Sequence, residues 1–436
     1  MTDAGAAPWS NWAGNQRAVA ARVAHPASAD EVAAEVGKAA AAGVRVKAVG
    51  NGHSFTAAAL TDGVRLELDR LAEVRAVDPQ ARRVTVGAGM YLRDLNRVLA
   101  EHGLAMPNLG DIDAQTISGA LATGTHGTGA GYGCLSTFVH GLELVTGTGE
   151  LIRCSADENP DVFKAALVNV GALGVVTAVT LNCTDAFTLR AEERPAPLAE
   201  ALTGLDAHIE GNDHFEFYWF PYTERVQLKR NNRVPAPDKP LSGFRGWLDD
   251  DFLSNTVFGG VCRLGRAAPG LVPTISRISA RALSARVYTA PSHEVFCTAR
   301  RVRFVEMEYG VPREAVQEAF SGLRRVVNRL PFNVVFPVEV RFTAADDIWL
   351  SHGYGRDSAY IAIHQYVGMP YEEYFKRFEE IAVGLGGRPH WGKMHYREAG
   401  QLAEAYPRFG DFLAVRDRLD PDRVFANAYL DRILGR

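Results

Sequence analysis

The segment Ala48-Val49-Gly50-Asn51-Gly52-His53-Ser54-Phe55 follows an apolar-alternating stretch and sets two glycines and a histidine within four residues. Glycines at this spacing let backbone N–H groups turn toward a phosphate, because no Cβ blocks the approach and positive φ costs little. His53 would then stand beside whatever the phosphates carry. A tight turn after a strand, with the histidine at the surface, is the plainer alternative. A second run, Ile117 to Gly129, contains Gly119, Thr123, Gly124, Thr125 and His126 and is small at nearly every position, so a flat ligand could lie on its backbone. A third, Gly171-Ala172-Leu173-Gly174-Val175-Val176, runs into a β-branched strand. None fits the G-x-G-x-x-G fingerprint between strand and helix. Three backbone-rich segments imply a large ligand gripped from several sides.

Charged candidates come late in the chain. Glu339 and Arg341 alternate on the otherwise apolar run Val338–Phe342 and so share one face of a strand. Such a pair is either a solvated face or a buried working pair. His364 shares a face with Tyr366 on the run Tyr360–Tyr366, where a satisfied core histidine is the alternative. Arg388-Pro389-His390-Trp391-Gly392-Lys393 joins a rigid turn, an aromatic ring and a cation; a loop with a surface lysine would look the same.

Taken in order, Gly50–Ser54, Ala122–Gly127, Gly171–Val176 and Arg388–Lys393 resemble the aldonolactone oxidoreductases of the vanillyl-alcohol-oxidase flavoprotein superfamily, in the gulonolactone, arabinonolactone and alditol oxidase branches. The similarity runs from Asn11 to Asn427. It implies a two-domain α+β fold: an FAD-binding domain over 1–183, a substrate domain with an antiparallel sheet over 184–405, and a segment 406–436 returning to the first. It implies FAD, joined covalently through His53, with Val49, Gly50, Asn51, Gly52, Ser54, Gly110, Asp111, Thr116, Gly119, Thr123, Gly124, Thr125, His126 and Val176 around it. Glu339 and Arg341 would bind the reacting hydroxyl, His364 would lie close to substrate, and Lys393 would stabilise an alkoxide or the reduced ring. Gly110 matches a gatekeeper position where glycine leaves room for oxygen. Asp111 departs from alditol oxidases, which carry serine there, and moves weight from open-chain polyols toward lactones. The implied activity is oxidation of the C2 hydroxyl of a sugar 1,4-lactone, with O2 or another acceptor reoxidising the flavin. An alditol oxidase, or a flavin-binding protein without substrate oxidation, is the rival.

The elements that must position these residues are partly legible. Residues 29–43 have helical periodicity with Ser28 or Asp30 as cap, and Tyr91–His102 reads as a helix stopped by Gly103. Strands are expected at 64–68, 83–87, 141–146, 150–154 and 174–182, with a helix over 161–170. Beyond Thr184, Pro195, Pro197 and the Pro/Gly/Arg-rich stretch Arg233–Pro273 break regular alternation. Strands at 214–220, 301–309, 334–342 and 359–367 around a helix at 312–327 predict an antiparallel sheet with helices on one face. The tail Tyr406–Leu434 reads as helical, interrupted at Leu419–Asp422.

At 436 residues the chain exceeds one ordinary core. Its net charge of −4 gives no reason to expect nucleic acid or an anionic membrane as partner. Met1–Pro8 lacks the basic and apolar regions of a signal peptide, and no apolar run reaches the about 20 residues of a spanning helix. The five cysteines are scattered without a metal-binding spacing, so no metal is expected and reduced thiols in the cytoplasm are the reading.

Overall fold

The structure, a computed structural model, describes residues 7–240, 246, 252–253 and 255–436. The N-terminal residues read for a leader, up to Ala6, and part of the Arg233–Pro273 stretch lie outside the described residues.

The loop carrying His53 is aimed by a small parallel sheet in the order Arg22–Ala24, Val64–Glu67, Val46–Val49. Parallel strands need a crossover, and the helix Ala29–Ala41 supplies it. Ser28 Oγ accepts the Glu31 N–H at 3.1 Å, as a cap should, and Val32, Val36 and Ala39 bury one stripe of the helix. A five-stranded antiparallel sheet follows, ordered Leu151–Ser155, Val139–Val145, Val175–Asn182, Arg83–Gly87, Val74–Asp78. The expected helix over 161–170 is shorter, Pro160–Ala166, because the chain then turns through Val170 at φ +46° and Gly171 at φ +69°. Left-handed backbone at a β-branched residue is costly and marks a turn held by its surroundings. Helices Phe409–Leu419 and Ala428–Leu434 pack Phe412 and Leu430 into the same core as Val84, Leu92 and Leu121.

An eight-stranded antiparallel sheet carries the charged candidates. Its order is Arg286–Pro291, Thr188–Pro197, Arg225–Val234, His214–Trp219, Val338–Thr343, Ser358–Tyr366, Phe304–Pro312, Arg388–Pro389. Strand alternation divides its two faces. Phe215, Phe217, Val338, Val340, Met307, Ile361 and Ile363 form one core with the helices Val316–Val327 and Glu372–Gly384. Glu216, Tyr218, Glu339, Arg341, Glu306, Glu308 and His364 take the other parity, and all of these but Glu216 line a cavity on that face. Register sets Arg341 opposite Glu216, Glu339 opposite Tyr218, and His364 opposite Glu306.

Pro195 and Pro197, expected to break regular alternation of strands and helices, lie within a strand of this sheet. They close the strand Thr188–Pro197, whose pairing with Arg286–Pro291 has already ended at Glu193. A residue without an N–H is tolerated where one neighbour is missing. The Pro/Gly/Arg-rich stretch likewise contains regular structure, helices Phe258–Ala267 and Val272–Ala282, the second with proline in its first turn.

Candidate active site and cofactor channel

Three adjoining cavities make one channel. The two lined by the Gly50 loop share Val49, Gly50, Thr116 and Gly119, and the one reaching the large sheet shares His53, Ser54 and Thr123 with its neighbour. Counted to the mouth, the sheet-side cavity encloses about 1140 Å³ and the central one about 820 Å³, room for a ligand much longer than a single sugar.

The channel fits FAD by the chemistry of its walls. A Cβ added at Gly50 would stand 2.5 Å from Thr116 Oγ1, so only glycine brings backbone this close. Thr116 Oγ1 is itself buried without a hydrogen-bond partner, a polar atom waiting for a ligand. Gly52 has φ +69°, which turns the loop back so that Trp12 N–H reaches the Gly52 carbonyl at 2.8 Å. The His53 ring then stacks beside Trp12 at 5.7 Å. Burial, with the nearby charge of Lys393, lowers the His53 pKa to about 4 and leaves a neutral, nucleophilic imidazole.

Of the residues expected around the cofactor, Asn51 and Gly52 line the central cavity, Val176 lines the inner one, and Gly110, Asp111, Thr125 and His126 line the sheet-side one. Gly124 stands behind the wall, with φ +70° and packed on the His352 ring. Lys47 is a wall residue that sequence reading missed. It is buried on a strand with its Nζ donating to the Gly171 carbonyl at 3.1 Å, and burial lowers its pKa to about 7.

Two charged assemblies meet in the sheet-side cavity. In the first, Lys393 Nζ pairs with Glu306, and His364 Nε2 lies 3.4 Å from the same carboxylate. His364 Nδ1 donates to the Pro337 carbonyl at 3.2 Å, fixing the ring with Nε2 toward Glu306. Burial works to raise the Glu306 pKa, but the charge of Lys393, joined by that of His364 when its ring is protonated, outweighs it and holds it at about 2. Burial would strip Lys393 of its proton; Glu306 and Glu308 keep its pKa above the ordinary value.

In the second, Arg341 is clasped by Asp111, by Glu339 and by Glu216, the last at 3.0 Å. Arg300 reaches Asp111 at 3.0 Å and Lys229 reaches Glu216 at 3.0 Å. Arg341, Arg300 and Lys229 thus surround the carboxyl groups of Asp111, Glu216 and Glu339. Burial and the neighbouring carboxylates Asp111 and Glu216 raise the Glu339 pKa to about 8, against the pull of Arg341, so at neutral pH it is a carboxylic acid. Burial would raise Asp111 too, but Arg341 and Arg300 hold it well below the usual range. Tyr218 donates its hydroxyl to Glu339 at 2.7 Å.

The expected set Glu339, Arg341, His364 and Lys393 therefore lines one cavity with His53. Sequence reading missed Glu306, Glu308, Glu216 and Tyr218. The signal was present, because each alternates with apolar residues as Glu339 and Arg341 do.

The family profile described as D-arabinono-1,4-lactone oxidase matches residues 179–433, and that of the FAD binding domain matches 20–155. An L-gulono-1,4-lactone dehydrogenase of Mycobacterium tuberculosis is 44% identical over 427 residues, covering 98% of this chain and 99% of the relative. An L-gulonolactone oxidase of Bos taurus is 36% identical, with 98% of each chain covered. An alditol oxidase of a Streptomyces species is 33% identical, again over 98% of each. Among solved structures, a cholesterol oxidase from B. sterolicum superposes with a TM-score of 0.83 at 19% identity, over 98% of this chain and 96% of that one. That likeness is one of fold.

Proposed function

The chain belongs to the D-arabinono-1,4-lactone oxidase family and is an FAD-dependent oxidoreductase, and we propose that it oxidises the C2 hydroxyl of a sugar 1,4-lactone. The observation that carries the proposal is Asp111. Its carboxylate lines the sheet-side cavity tied to Arg341 and Arg300, where the alditol oxidase branch carries a serine, and this charged wall beside Glu339 supports a lactone over an open-chain polyol. Relatives named for gulonolactone at 44% and 36% identity support lactones over the alditol oxidase at 33%.

When bound, FAD supplies the acceptor for a hydride. The protein's own groups handle the oxygen and its proton. Arg341 holds the reacting oxygen, and Glu339, carrying its proton at neutral pH, donates to a second substrate oxygen. His364 Nε2 accepts the hydroxyl proton, and the imidazolium that forms is balanced by Glu306. Lys393 places positive charge where negative charge develops. His53, neutral and in the channel, is the residue we assign to a covalent bond with the flavin. We assign residues 1–183 with 406–436 to the FAD-holding unit and 184–405 to the substrate unit; the core that Phe412 and Leu430 share with Val84 supports the return of the C-terminal segment to the first. The five free cysteines support a reducing compartment such as the cytoplasm.

Deuterium placed at C2 of L-gulono-1,4-lactone tests the position of attack. Flavin reduction should slow several-fold with the label at C2 and stay unchanged with it elsewhere. Slowing by a label at a terminal carbon instead would move the reading to the alditol oxidase reaction.

A further inference from the structure

Arg300 lines the sheet-side cavity, yet the handling of the reacting hydroxyl and its proton makes no use of it. Its loop lies against the loop that carries Gly110 and Asp111. Two contacts fasten these loops without the guanidinium. The Cys297 thiol donates to the Gly110 carbonyl at 3.4 Å, and the Thr298 N–H donates to the Asp111 carbonyl at 2.8 Å. The bond from Arg300 Nη2 to the Asp111 carboxylate, at 3.0 Å, is therefore not what closes the contact. It occupies one nitrogen of a planar fork that carries five N–H donors. Asp111 is the one hydrogen-bond partner of Arg300 among the described residues, and the side chain is 39% exposed although it stands on a cavity wall. Donors are left open to whatever enters.

Exposure orders this wall from depth to mouth. The Glu339 and Arg341 side chains are each 9% exposed, Asp111 is 19% and Arg300 is 39%. Asp111 bridges the two guanidinium groups, Oδ1 to Arg341 and Oδ2 to Arg300, so they stand one carboxylate apart. The lactone reading above, on which this inference rests, seats the reacting C2 oxygen on Arg341. In a 1,4-lactone the exocyclic arm grows from C4, two bonds around the ring from C2. With the C2 oxygen held at depth, the arm has the Asp111 wall to follow outward. A five-carbon lactone carries only a hydroxymethyl group there. A six-carbon lactone carries a dihydroxyethyl group, whose outer hydroxyl reaches one carbon farther.

We infer that Arg300 is a specificity-determining residue that binds the exocyclic diol of six-carbon aldono-1,4-lactones. Its fork donates to two neighbouring hydroxyl oxygens as it would to the two oxygens of a carboxylate. The remaining lone pairs of Asp111 accept a hydroxyl proton. A hydroxymethyl arm stops short and leaves the fork without its partner, which is the kind of loss a polar subsite discriminates against.

The test is anaerobic stopped-flow reduction of the flavin by L-gulono-1,4-lactone and by D-lyxono-1,4-lactone, its five-carbon counterpart of the same ring configuration. L-galactono- and D-arabinono-1,4-lactone make a second such pair. Saturation gives a limiting rate and an apparent Kd for each, and a lactone that does not reduce the flavin is read as a competitor. Wild type should bind the six-carbon member more tightly. In Arg300→Met the Kd of the six-carbon lactone should rise about 10- to 100-fold, as expected for a lost hydrogen bond to a charged group, and that of the five-carbon lactone about threefold or less. Arg300→Lys keeps a cation beside Asp111 but loses the fork, so it should fall between wild type and Arg300→Met in this discrimination. Flavin absorbance before mixing shows that each variant holds its cofactor. Equal rises in Kd for both members of a pair, or no rise for either, would overturn the inference, because loss of the Asp111 pairing alone does not distinguish the two arms. Wild-type flavin reduced by no lactone of either pair would refute the lactone reading itself, and the inference with it.

Discussion

Replacing Glu306 with glutamine keeps the side-chain volume and removes one charge from beside Lys393 and His364. The fold contains its own calibration for the effect on the lysine. Lys47 is buried and Lys393 partly buried, but the nearest acceptor of Lys47 is a carbonyl at 3.1 Å, whereas Lys393 holds the Glu306 carboxylate. Lys47 falls to about 7, while Lys393 stays above its ordinary pKa. In Glu306→Gln, Lys393 loses the strongest of its carboxylate partners and should move down toward the Lys47 value. Its charged fraction then falls about tenfold for each pH unit above about 7. If that charge stabilises the developing alkoxide, the ratio of variant to wild-type rate should drop about 100-fold between pH about 7 and about 9. Below pH about 7 the deficit should stay near tenfold, the cost of losing the counter-ion of His364. The assay is anaerobic stopped-flow bleaching of the flavin by L-gulono-1,4-lactone across that range. Lys393→Met, which cannot titrate, should show a large deficit whose ratio to wild type is flat. A flat ratio for Glu306→Gln would refute the coupling between Glu306 and the charge on Lys393.

Other outcomes rest on the same geometry. Glu339 carries its proton until pH about 8 and on losing it becomes a third anion around Arg341, so kcat/KM for lactone should fall as pH rises through about 8; Glu339→Gln should lack that limb, and its persistence would show that another group titrates. Acid precipitation should leave the wild-type pellet yellow and the supernatant colourless, whereas His53→Ala should release its flavin; colour in the wild-type supernatant would exclude the covalent link. Gly50→Ala sets a Cβ 2.5 Å from Thr116 Oγ1, which should cost about 1–3 kcal/mol and lower flavin content. Adding Thr116→Ala should restore part of that loss, and equal flavin content in Gly50→Ala and wild type would show that the loop gives way freely.

Local sequence carried some of this architecture and not the rest, for physical reasons. The His53 loop, the cap at Ser28 and the Gly103 stop are short-range features written in adjacent residues, and they appear where the sequence reading put them. Alternation revealed that Glu339 and Arg341 share a face, but not what stands across from them. Inter-strand register brings Glu306 to His364 and Glu216 to Arg341, and register is set by tertiary pairing rather than by neighbours in the chain. The strands Thr188–Pro197 and Arg225–Val234 were hidden similarly: two prolines look like breakers until the missing sheet neighbour is known. The helix Glu372–Gly384 had a readable stripe in Tyr374, Phe375, Phe378 and Ala382 and was overlooked. Asp111 reached the site from a loop whose path only the fold defines.

The most direct test of the central claim is anaerobic mixing of the purified flavoprotein with L-gulono-1,4-lactone, D-arabinono-1,4-lactone, xylitol and sorbitol in turn, followed by flavin absorbance. The account predicts rapid bleaching by at least one lactone and slow or no bleaching by the open-chain polyols. Bleaching by xylitol or sorbitol with the lactones inert would contradict it.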